Sequence, residues 1–268
     1  MTLRAYAGEN KLVEVIGAHP PMAVATATLL ADAEALAREI VAKGKQIGLD
    51  YTSAAADIGS SRPPLGMDGR PLAESVFHWI DPKLRYWEDH SFALKAAFIH
   101  AARACAEPYY FHQGRFGSWR SNRSLDAITS EGPIDRMGVG AAIVAPVYLP
   151  RGVIGAVIWA TPDETFDVAT AFAEHAGAMH ILAMKFVATY EDAVAGSDRT
   201  PARLTRREIQ CLKWAAAGKT DADISELVEI SLPTVRFHIG NAARKLAVAG
   251  RAQAIHRAAI LGYIGAGS

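Results

Sequence analysis

The sequence predicts an α+β protein in which an N-terminal α/β/α sandwich precedes a C-terminal all-α domain of four helices. Its 268 residues, 50% of them hydrophobic, suffice for two separate cores. Residues 1–190 combine helical periodicity with β-branched runs, whereas residues 204–268 contain only helical patterns. Charge divides the chain at the same place. Residues 201–268 have ten Lys and Arg against five Asp and Glu, a net of +5, although the whole chain is neutral. We therefore expect domains at 1–190 and 204–268, joined by a polar, Pro-containing linker at 191–203.

The first half of the sandwich is predicted as a helix, a strand, a loop and two further helices. Apolar residues recur at three- and four-residue steps between positions 23 and 44 and predict a helix that Gly44 ends. A strand is expected at 51–58, followed by a long loop rich in Gly and Pro at 59–71. Helices are then predicted at 81–86 and 92–104, the first of them opened by an Asp-Pro pair.

Two strands and a long helix complete the predicted sandwich. β-Branched runs at 139–147 and 153–160 flank a turn that contains Pro and Gly, which is typical of an antiparallel hairpin. An apolar stripe through residues 166–190 predicts a helix that covers the sheet. A sheet between helical layers buries the apolar faces of both kinds of element.

Capping signals define the helices of the basic domain. Thr205 and Glu208 have the spacing of a capping box, which begins the first helix. Thr220 or Asp221 caps the second helix, and Ser231 caps the third, which has Pro in its first turn. The four helices are expected to end near residues 217, 227, 246 and 261.

The second and third helices, joined by a tight turn, have the layout of a helix-turn-helix motif for DNA binding. The third helix has an apolar back and a basic front, on which Arg236 can reach guanine O6 and N7 in the major groove. Lys219, Lys245 and Arg251 flank this front and suit phosphate contacts, which position a protein on DNA without reading sequence. The alternative interpretation is a small helical bundle whose charges form an ordinary solvated surface.

This domain resembles the DNA-binding domain of LuxR-type transcription regulators over about sixty residues. The resemblance implies that its last helix dimerises, that Arg236, Phe237 and Gly240 read bases, and that Lys219, Thr220 and Lys245 face phosphates. The full set of DNA-binding residues that we expect is Lys219, Thr220, Thr234, Arg236, Phe237, Gly240, Arg244 and Lys245. The matching segments are residues 204–220, 230–231, 234–238, 241, 245–246, 251–254 and 262.

Two positions depart from the family pattern. Many members have Gly where Glu229 stands in the turn, so this residue is expected to occupy a strained backbone conformation. Many members also have a longer side chain at the position of Gly240, and its absence removes one potential base contact.

The N-terminal domain determines which signal such a regulator receives. A phospho-receiver domain needs an acidic pair at its start and a phosphoacceptor Asp after a strand, and residues 1–190 do not show that order. Their order of elements resembles the autoinducer-binding domain of quorum-sensing LuxR proteins, most clearly at residues 137–155. In that family this segment forms two central strands that line a pocket for an N-acyl-homoserine lactone.

The pocket signature of the quorum sensors is altered in this chain. Their Asp-Pro pair, whose carboxylate accepts the ligand amide, corresponds to Ala96-Ala97, and Ile158-Trp159 replaces a Ser or Thr on the second strand. Both changes remove hydrogen-bonding groups that a lactone ligand needs, and each ligand amide left unpaired in a pocket costs about 1–3 kcal/mol. A sensor of a non-lactone molecule and a ligand-independent regulator are therefore alternatives. Aromatic residues dominate the expected site, although about half of such residues belong to an ordinary core. The expected ligand-binding residues are Trp79, Tyr86, Trp87, Asp89, Phe111, Trp119 and Trp159.

The sequence favours regulation over catalysis. It has no nucleophile elbow, phosphate loop or paired acid–base motif, and its His and Cys residues lack metal-ligand spacing. We therefore expect no catalytic residue, metal or cofactor; an enzyme with a DNA-binding tail is the rival hypothesis. Two cysteines and the lack of a leader or membrane span predict a cytoplasmic protein. The expected partners are double-stranded DNA, a small-molecule signal, a second copy of the chain in a homodimer, and RNA polymerase, with no membrane.

Overall fold

The computed structural model describes residues 22–60, 62–85, 96–195 and 202–265. Up to residue 195 these residues form a mixed domain of helices and one antiparallel sheet, and from residue 202 they form helices alone. The predicted fold class is confirmed. Residues 196–201 of the expected linker lie outside the described residues.

The described elements of the N-terminal part follow the predicted order, with four additions. The helix predicted at 81–86 is wrong for its described residues: 81–85 form a turn, because the Asp81 side chain accepts from the amide of Lys83 at 2.9 Å. The helices are α1 (Met22–Gln46), α2 (Leu72–Ser75), α3 (Ala97–Ala104), α4 (Arg123–Ser130) and α5 (Val168–Val194). The strands are β1 (Tyr51–Ala55), β2 (Tyr109–His112), β3 (Arg115–Gly117), β4 (Ala141–Tyr148) and β5 (Ile154–Thr161).

The five strands form one antiparallel sheet in the order β1-β5-β4-β2-β3. The predicted hairpin is the β4–β5 pair, which closes over a 3₁₀ turn at Pro150–Gly152. Alternate residues of a strand point to opposite faces, so this register assigns each side chain to one side of the sheet.

Helices cover both faces of the sheet and divide its core in two. Trp159, Ile143 and Val157 pack against α1 and α5 on one face, which we call the α5 face. Phe111 and Val144 pack against α3 and α4 on the other, the α3 face. Full burial of each large apolar side chain contributes about 1.5–3 kcal/mol, which explains why the sheet needs both layers.

Close packing on the α5 face depends on a glycine in β5. A Cβ atom on Gly155 would lie 2.6 Å from Cγ1 of Val187 and 2.9 Å from the carbonyl oxygen of Ala56. No side chain fits at those distances, so α5 approaches the sheet at this point only because β5 has a glycine there.

The short helix α2 and the elements β2, β3 and α4 were not predicted from the sequence. Gln113 and Gly114 both have positive φ, 50° and 80°, and join β2 to β3 as a two-residue hairpin loop. Such loops favour Asn-Gly or Asp-Gly, so Gln-Gly is a weaker signal. Asn122 caps α4, its Oδ1 accepting from the amides of Ser124 and Leu125. The long helix α5 also continues to Val194, four residues into the expected linker.

Hydrogen bonds attach the described part of the 59–71 loop to the helices. The amide of Leu65 donates to Tyr190 Oη on α5 at 2.9 Å, and the amide of Met67 donates to Glu34 Oε2 on α1 at 3.0 Å. The hydrogen bond from Met67 and the pairing with Arg38 lower the pKa of Glu34. The loop therefore packs on α1 and α5.

The C-terminal part contains the four predicted helices, α6 (Arg206–Ala216), α7 (Asp221–Val228), α8 (Leu232–Lys245) and α9 (Arg251–Ile260). The Thr205–Glu208 capping box is present, Thr220 and Asp223 form a second, and Ser231 caps α8. Val235, Ile239 and Ala242 of α8 are buried as predicted.

The turn between α7 and α8 contains the expected strain. Glu229 ends α7 in the left-handed conformation, with φ 56° and ψ 47°. Leu227 near the end of α7 is 48% exposed, whereas Ile224 and Val228 of the same helix are buried. Residues four apart share a face of a helix, which makes Ile224 and Val228 the inner pair. Among the described residues, no helix is both long enough and apolar enough to span a membrane.

Candidate DNA-reading surface and sensor cavity

The front of α8 exposes four of the residues expected to bind DNA. Arg236, Phe237, Gly240 and Arg244 are exposed, and Phe237 retains 64% of its accessible surface. Their spacing places them on one side of the helix, opposite the buried stripe. A Cβ atom on Gly240 would meet nothing within 4 Å, so this position leaves an open gap between the side chains before and after it. We call these four residues the reading face.

The cations around the reading face are held by carboxylates of the same domain. Lys245 Nζ lies 2.9 Å from Glu208 Oε2. Asp221, the first residue of α7, contacts Arg236 Nε at 3.5 Å and also accepts from Arg251 Nη1. Arg251 and Lys245, predicted as phosphate contacts, therefore already have partners within the protein.

Glu208 forms the most buried of these pairs. Only 4% of its side chain is exposed, and Oε2 also accepts from the amide of Thr205 at 2.7 Å. Burial raises the pKa of Glu208, but the hydrogen bonds from Thr205 and Lys245 outweigh it and leave the pKa below its ordinary value. The pair connects the start of α6 to the end of α8.

Two of the expected DNA-binding hydroxyls take part in helix caps, one as the cap and one as a partner of the cap. Thr220 Oγ1 accepts from the amide of Asp223, and Thr234 Oγ1 lies 2.7 Å from Ser231 Oγ, the cap of α8. Lys219 precedes Thr220 and is exposed, while its carbonyl accepts from Arg251. The structure thus brings Lys219, Thr220 and Arg236 together around Asp221 and places Lys245 at the far end of α8.

The four expected ligand-binding residues that the structure describes do not lie together. Trp159 is fully buried on the α5 face, where its Nε1 donates to the carbonyl of Ile40 at 2.8 Å. Phe111 is on the α3 face, with its ring 5.0 Å from that of Phe98. The sheet separates them because β4 pairs Ala142 with Phe111 and the next residue, Ile143, with Trp159. Phe111 and Trp159 therefore lie in separate layers of the core and do not line one site together.

Two further expected ligand residues lie apart from each other. Trp119 is 57% exposed and contacts Phe172 of α5, with ring centroids 5.9 Å apart. Trp79 packs at the margin of the core on the α3 face. Tyr86, Trp87 and Asp89 lie outside the described residues.

A cavity of about 420 Å³ opens beside Trp79, between the edge strand β1 and residues 73–85. Its lining includes Thr52, Phe77, Trp79 and Asp81. Thr52 Oγ1 and Trp79 Nε1 are buried and have no hydrogen-bond partner among the described residues. Since buried polar groups are nearly always paired, these atoms mark the cavity as a candidate polar binding site. The sequence reading missed Thr52, because a Thr within a strand is an ordinary choice.

Comparison with known proteins identifies the C-terminal domain. Residues 202–258 match the family model described as bacterial regulatory proteins, luxR family. The match covers most of the C-terminal domain and about a fifth of the chain. The chain is 33% identical over 133 residues to the transcriptional activator protein VanR of Vibrio anguillarum, covering 47% of this chain and 53% of VanR. It is 50% identical over 62 residues to the quorum sensing-dependent transcriptional regulator RpaR of Rhodopseudomonas palustris, covering 23% and 26% of the two chains.

The similarity to these regulators extends beyond the LuxR-type domain. The 133 residues aligned with VanR exceed the length of residues 202–268, so part of the alignment precedes that domain. The chain spans about half the length of VanR and of LuxR from Aliivibrio fischeri. A solved structure of SdiA in complex with octanoyl-rac-glycerol is 18% identical and covers 91% of this chain and 97% of its own, with a TM-score of 0.45. The curated relatives named here are transcription regulators rather than enzymes.

Proposed function

We propose that this protein is a ligand-responsive transcription regulator that binds a palindromic DNA site as a homodimer in the cytoplasm. The observation that supports this most strongly is the reading face, an exposed front of α8 on a buried back, within a luxR-family domain. Arg236 reads guanine and Phe237 presents an apolar ring to the major groove. Lys219, Thr220, Thr234, Arg244 and Lys245 supply phosphate or flanking contacts.

Homodimerisation and RNA polymerase contact are part of the proposal. A helix-turn-helix dimer places its two recognition helices one turn of DNA apart, about 34–36 Å, so the operator has two inverted half-sites. Such a regulator changes transcription when the surface of the bound dimer that does not contact DNA meets RNA polymerase. The relatives VanR and LuxR are named as transcriptional activators, which supports activation as the direction of control.

The sensor domain binds its signal in the cavity beside Trp79. Thr52 and Trp79 line this cavity at the sheet edge from opposite faces of β1, and a ligand with hydrogen-bonding groups gives a partner to the indole N–H, to the Thr52 hydroxyl, or to each of them through a different group. The cavity volume falls in the range of small-molecule sites. An acyl-homoserine lactone or a related amphiphilic signal has this combination of a polar head and an apolar tail.

A footprinting experiment tests the DNA-binding half of the proposal. The full-length protein protects a site selected from random DNA, and Arg236→Ala loses discrimination among bases at one position in each half-site. An intact bidentate guanine contact is worth about 1–3 kcal/mol, so the loss is about 5- to 150-fold. Arg206→Ala removes the same charge from the exposed start of α6 and is the matched control. An unchanged footprint in Arg236→Ala would show that the reading face is wrongly assigned.

A thermal-shift experiment tests the sensor half. Melting of the full-length protein is followed against a panel of acyl-homoserine lactones and aromatic analogues. A ligand at a hundredfold excess over its Kd stabilises the native state by about 2.7 kcal/mol. Trp79→Phe keeps an aromatic ring but loses the indole N–H, and it reduces the shift, whereas Trp119→Phe at an exposed position leaves the shift unchanged. If no compound shifts the melting of a protein that binds DNA, the ligand-independent alternative replaces this half.

A further inference from the structure

Asp221 is an acidic residue in a surface that is expected to face phosphates. It begins α7, next to Lys219 and Thr220, and its side chain is only 26% exposed. A carboxylate at such a position repels DNA, so its presence there lowers the general affinity for nucleic acid. The contacts of Asp221 with neighbouring cations indicate what this residue contributes to the domain.

The carboxylate joins two guanidinium groups from different helices. Arg251 of α9 donates to Asp221 Oδ1 through Nη1 and to the carbonyl of Lys219 through Nη2. These two hydrogen bonds fix the carboxylate relative to the start of α7. The other carboxylate oxygen, Oδ2, then lies 3.5 Å from Nε of Arg236 on the reading face.

The contact with Arg236 is made at the inner end of its guanidinium. Arg has five N–H donors in a planar fork, and a partner at Nε leaves the four donors on Nη1 and Nη2 for another group. Those outer donors match the parallel acceptors O6 and N7 of guanine. An exposed Arg without such a partner samples many rotamers and binds a phosphate as readily as a base.

We propose that Asp221 is a positioning residue that holds Arg236 for end-on recognition of guanine and so determines the specificity of the regulator. Arg251 is the anchor that fixes Asp221, rather than a phosphate contact. The proposal rests on the proposed DNA-binding function. It predicts that loss of the Asp221 charge lowers specificity and raises general affinity for DNA.

The test compares sequence selection from random duplex DNA by four full-length proteins. These are the wild type, Asp221→Asn, Arg236→Ala and the double variant. Asn is isosteric and still accepts from Arg251, so the fold is retained. Glu226→Gln is the charge-matched control, because Glu226 is an exposed residue of α7 with no ion pair among the described residues. Binding to the selected site and to unrelated DNA is measured over a range of salt concentrations.

We expect Asp221→Asn to lower the preference for guanine at the Arg236-dependent position by about three- to tenfold, a part of the full bidentate discrimination. Its affinity for unrelated DNA rises at the same time, since a negative charge has been removed. Glu226→Gln keeps the guanine preference. In the Arg236→Ala background Asp221→Asn has no further effect on base preference, because the residue acts through Arg236.

Two other results have distinct meanings. If the wild type selects an Arg236-dependent guanine and Asp221→Asn retains the full preference, the positioning role is refuted and the DNA-binding function stands. A purely structural role for Asp221 would lower specific and general binding together and leave their ratio unchanged, which also refutes the inference. If the wild type selects no sequence, the proposed function itself fails.

Discussion

Replacing Glu208 with Gln should destabilise the C-terminal domain by about 1–2 kcal/mol at neutral pH. Gln has the same shape and still accepts from the amide of Thr205, so the substitution removes only the charge. The lost interaction is the ion pair with Lys245 Nζ, 2.9 Å from Glu208 Oε2, in which Glu208 is 4% and Lys245 31% exposed. Breaking a fully buried pair costs about 3–5 kcal/mol and a surface pair about 0–1 kcal/mol. This half-buried pair lies between those limits.

The difference between the two proteins should depend on pH in a defined direction. Since the hydrogen bonds from Thr205 and Lys245 hold the pKa of Glu208 below its ordinary value of 4.5, the folded state favours the ionised carboxylate. Its stabilisation is therefore complete above the unfolded pKa and is lost as the pH falls through the lower, folded pKa. Gln does not titrate, so the difference between wild type and Glu208→Gln should shrink below about pH 5.

Hydrogen exchange of full-length protein, followed by mass spectrometry on peptides from residues 202–265, measures this local stability without interference from the sensor domain. Glu226→Gln is the control, because it removes an exposed carboxylate from the same domain. Equal protection of wild type and Glu208→Gln at pH 7 would refute the argument. So would a difference that persists unchanged through the acid range, since the ion pair would then not be its source.

Two further predictions concern backbone positions. Glu229→Gly should stabilise the C-terminal domain by about 0.5–1 kcal/mol in urea unfolding. The strain free energy relieved at the left-handed position, φ 56°, exceeds the entropic cost of a more flexible unfolded chain. A loss of stability would contradict the assigned strain. Gly155→Ala should destabilise the N-terminal domain by about 1–3 kcal/mol in the same assay, because its Cβ would lie 2.6 Å from Val187 Cγ1, and unchanged stability would mean that the helix and sheet are less closely packed.

The C-terminal domain could be predicted almost completely because its signals are local. Thr205 with Glu208, Thr220, and Ser231 with a following Pro each mark a helix start within a few residues, and all three caps are present. The buried stripe of α8 follows from its 3.6-residue period. The pairing of Glu208 with Lys245 could not be read in the same way, because it joins residues 37 positions apart on different helices.

The candidate ligand site was harder to predict because it depends on strand register. An aromatic residue in a β-strand points to one face or the other, and one step along the chain reverses the face. Phe111 and Trp159 are aromatic residues of central strands, but their partners on β4 are the adjacent residues Ala142 and Ile143, so the sheet lies between them. Nothing in composition or periodicity specifies that register.

The net charge of the C-terminal domain does not show how its acidic residues act, because that depends on which cations they contact. A sum of charges gives residues 201–268 a net of +5, which predicts nucleic-acid binding without saying how specific it is. The structure shows that Glu208 and Asp221 contact three of the cations expected to meet DNA, Lys245, Arg236 and Arg251. Cations held in this way have less freedom to follow any phosphate backbone, which weakens binding to DNA in general. Because Asp221 engages only the inner nitrogen of Arg236, the outer nitrogens still face the groove, and the fixed geometry favours guanine over the other bases.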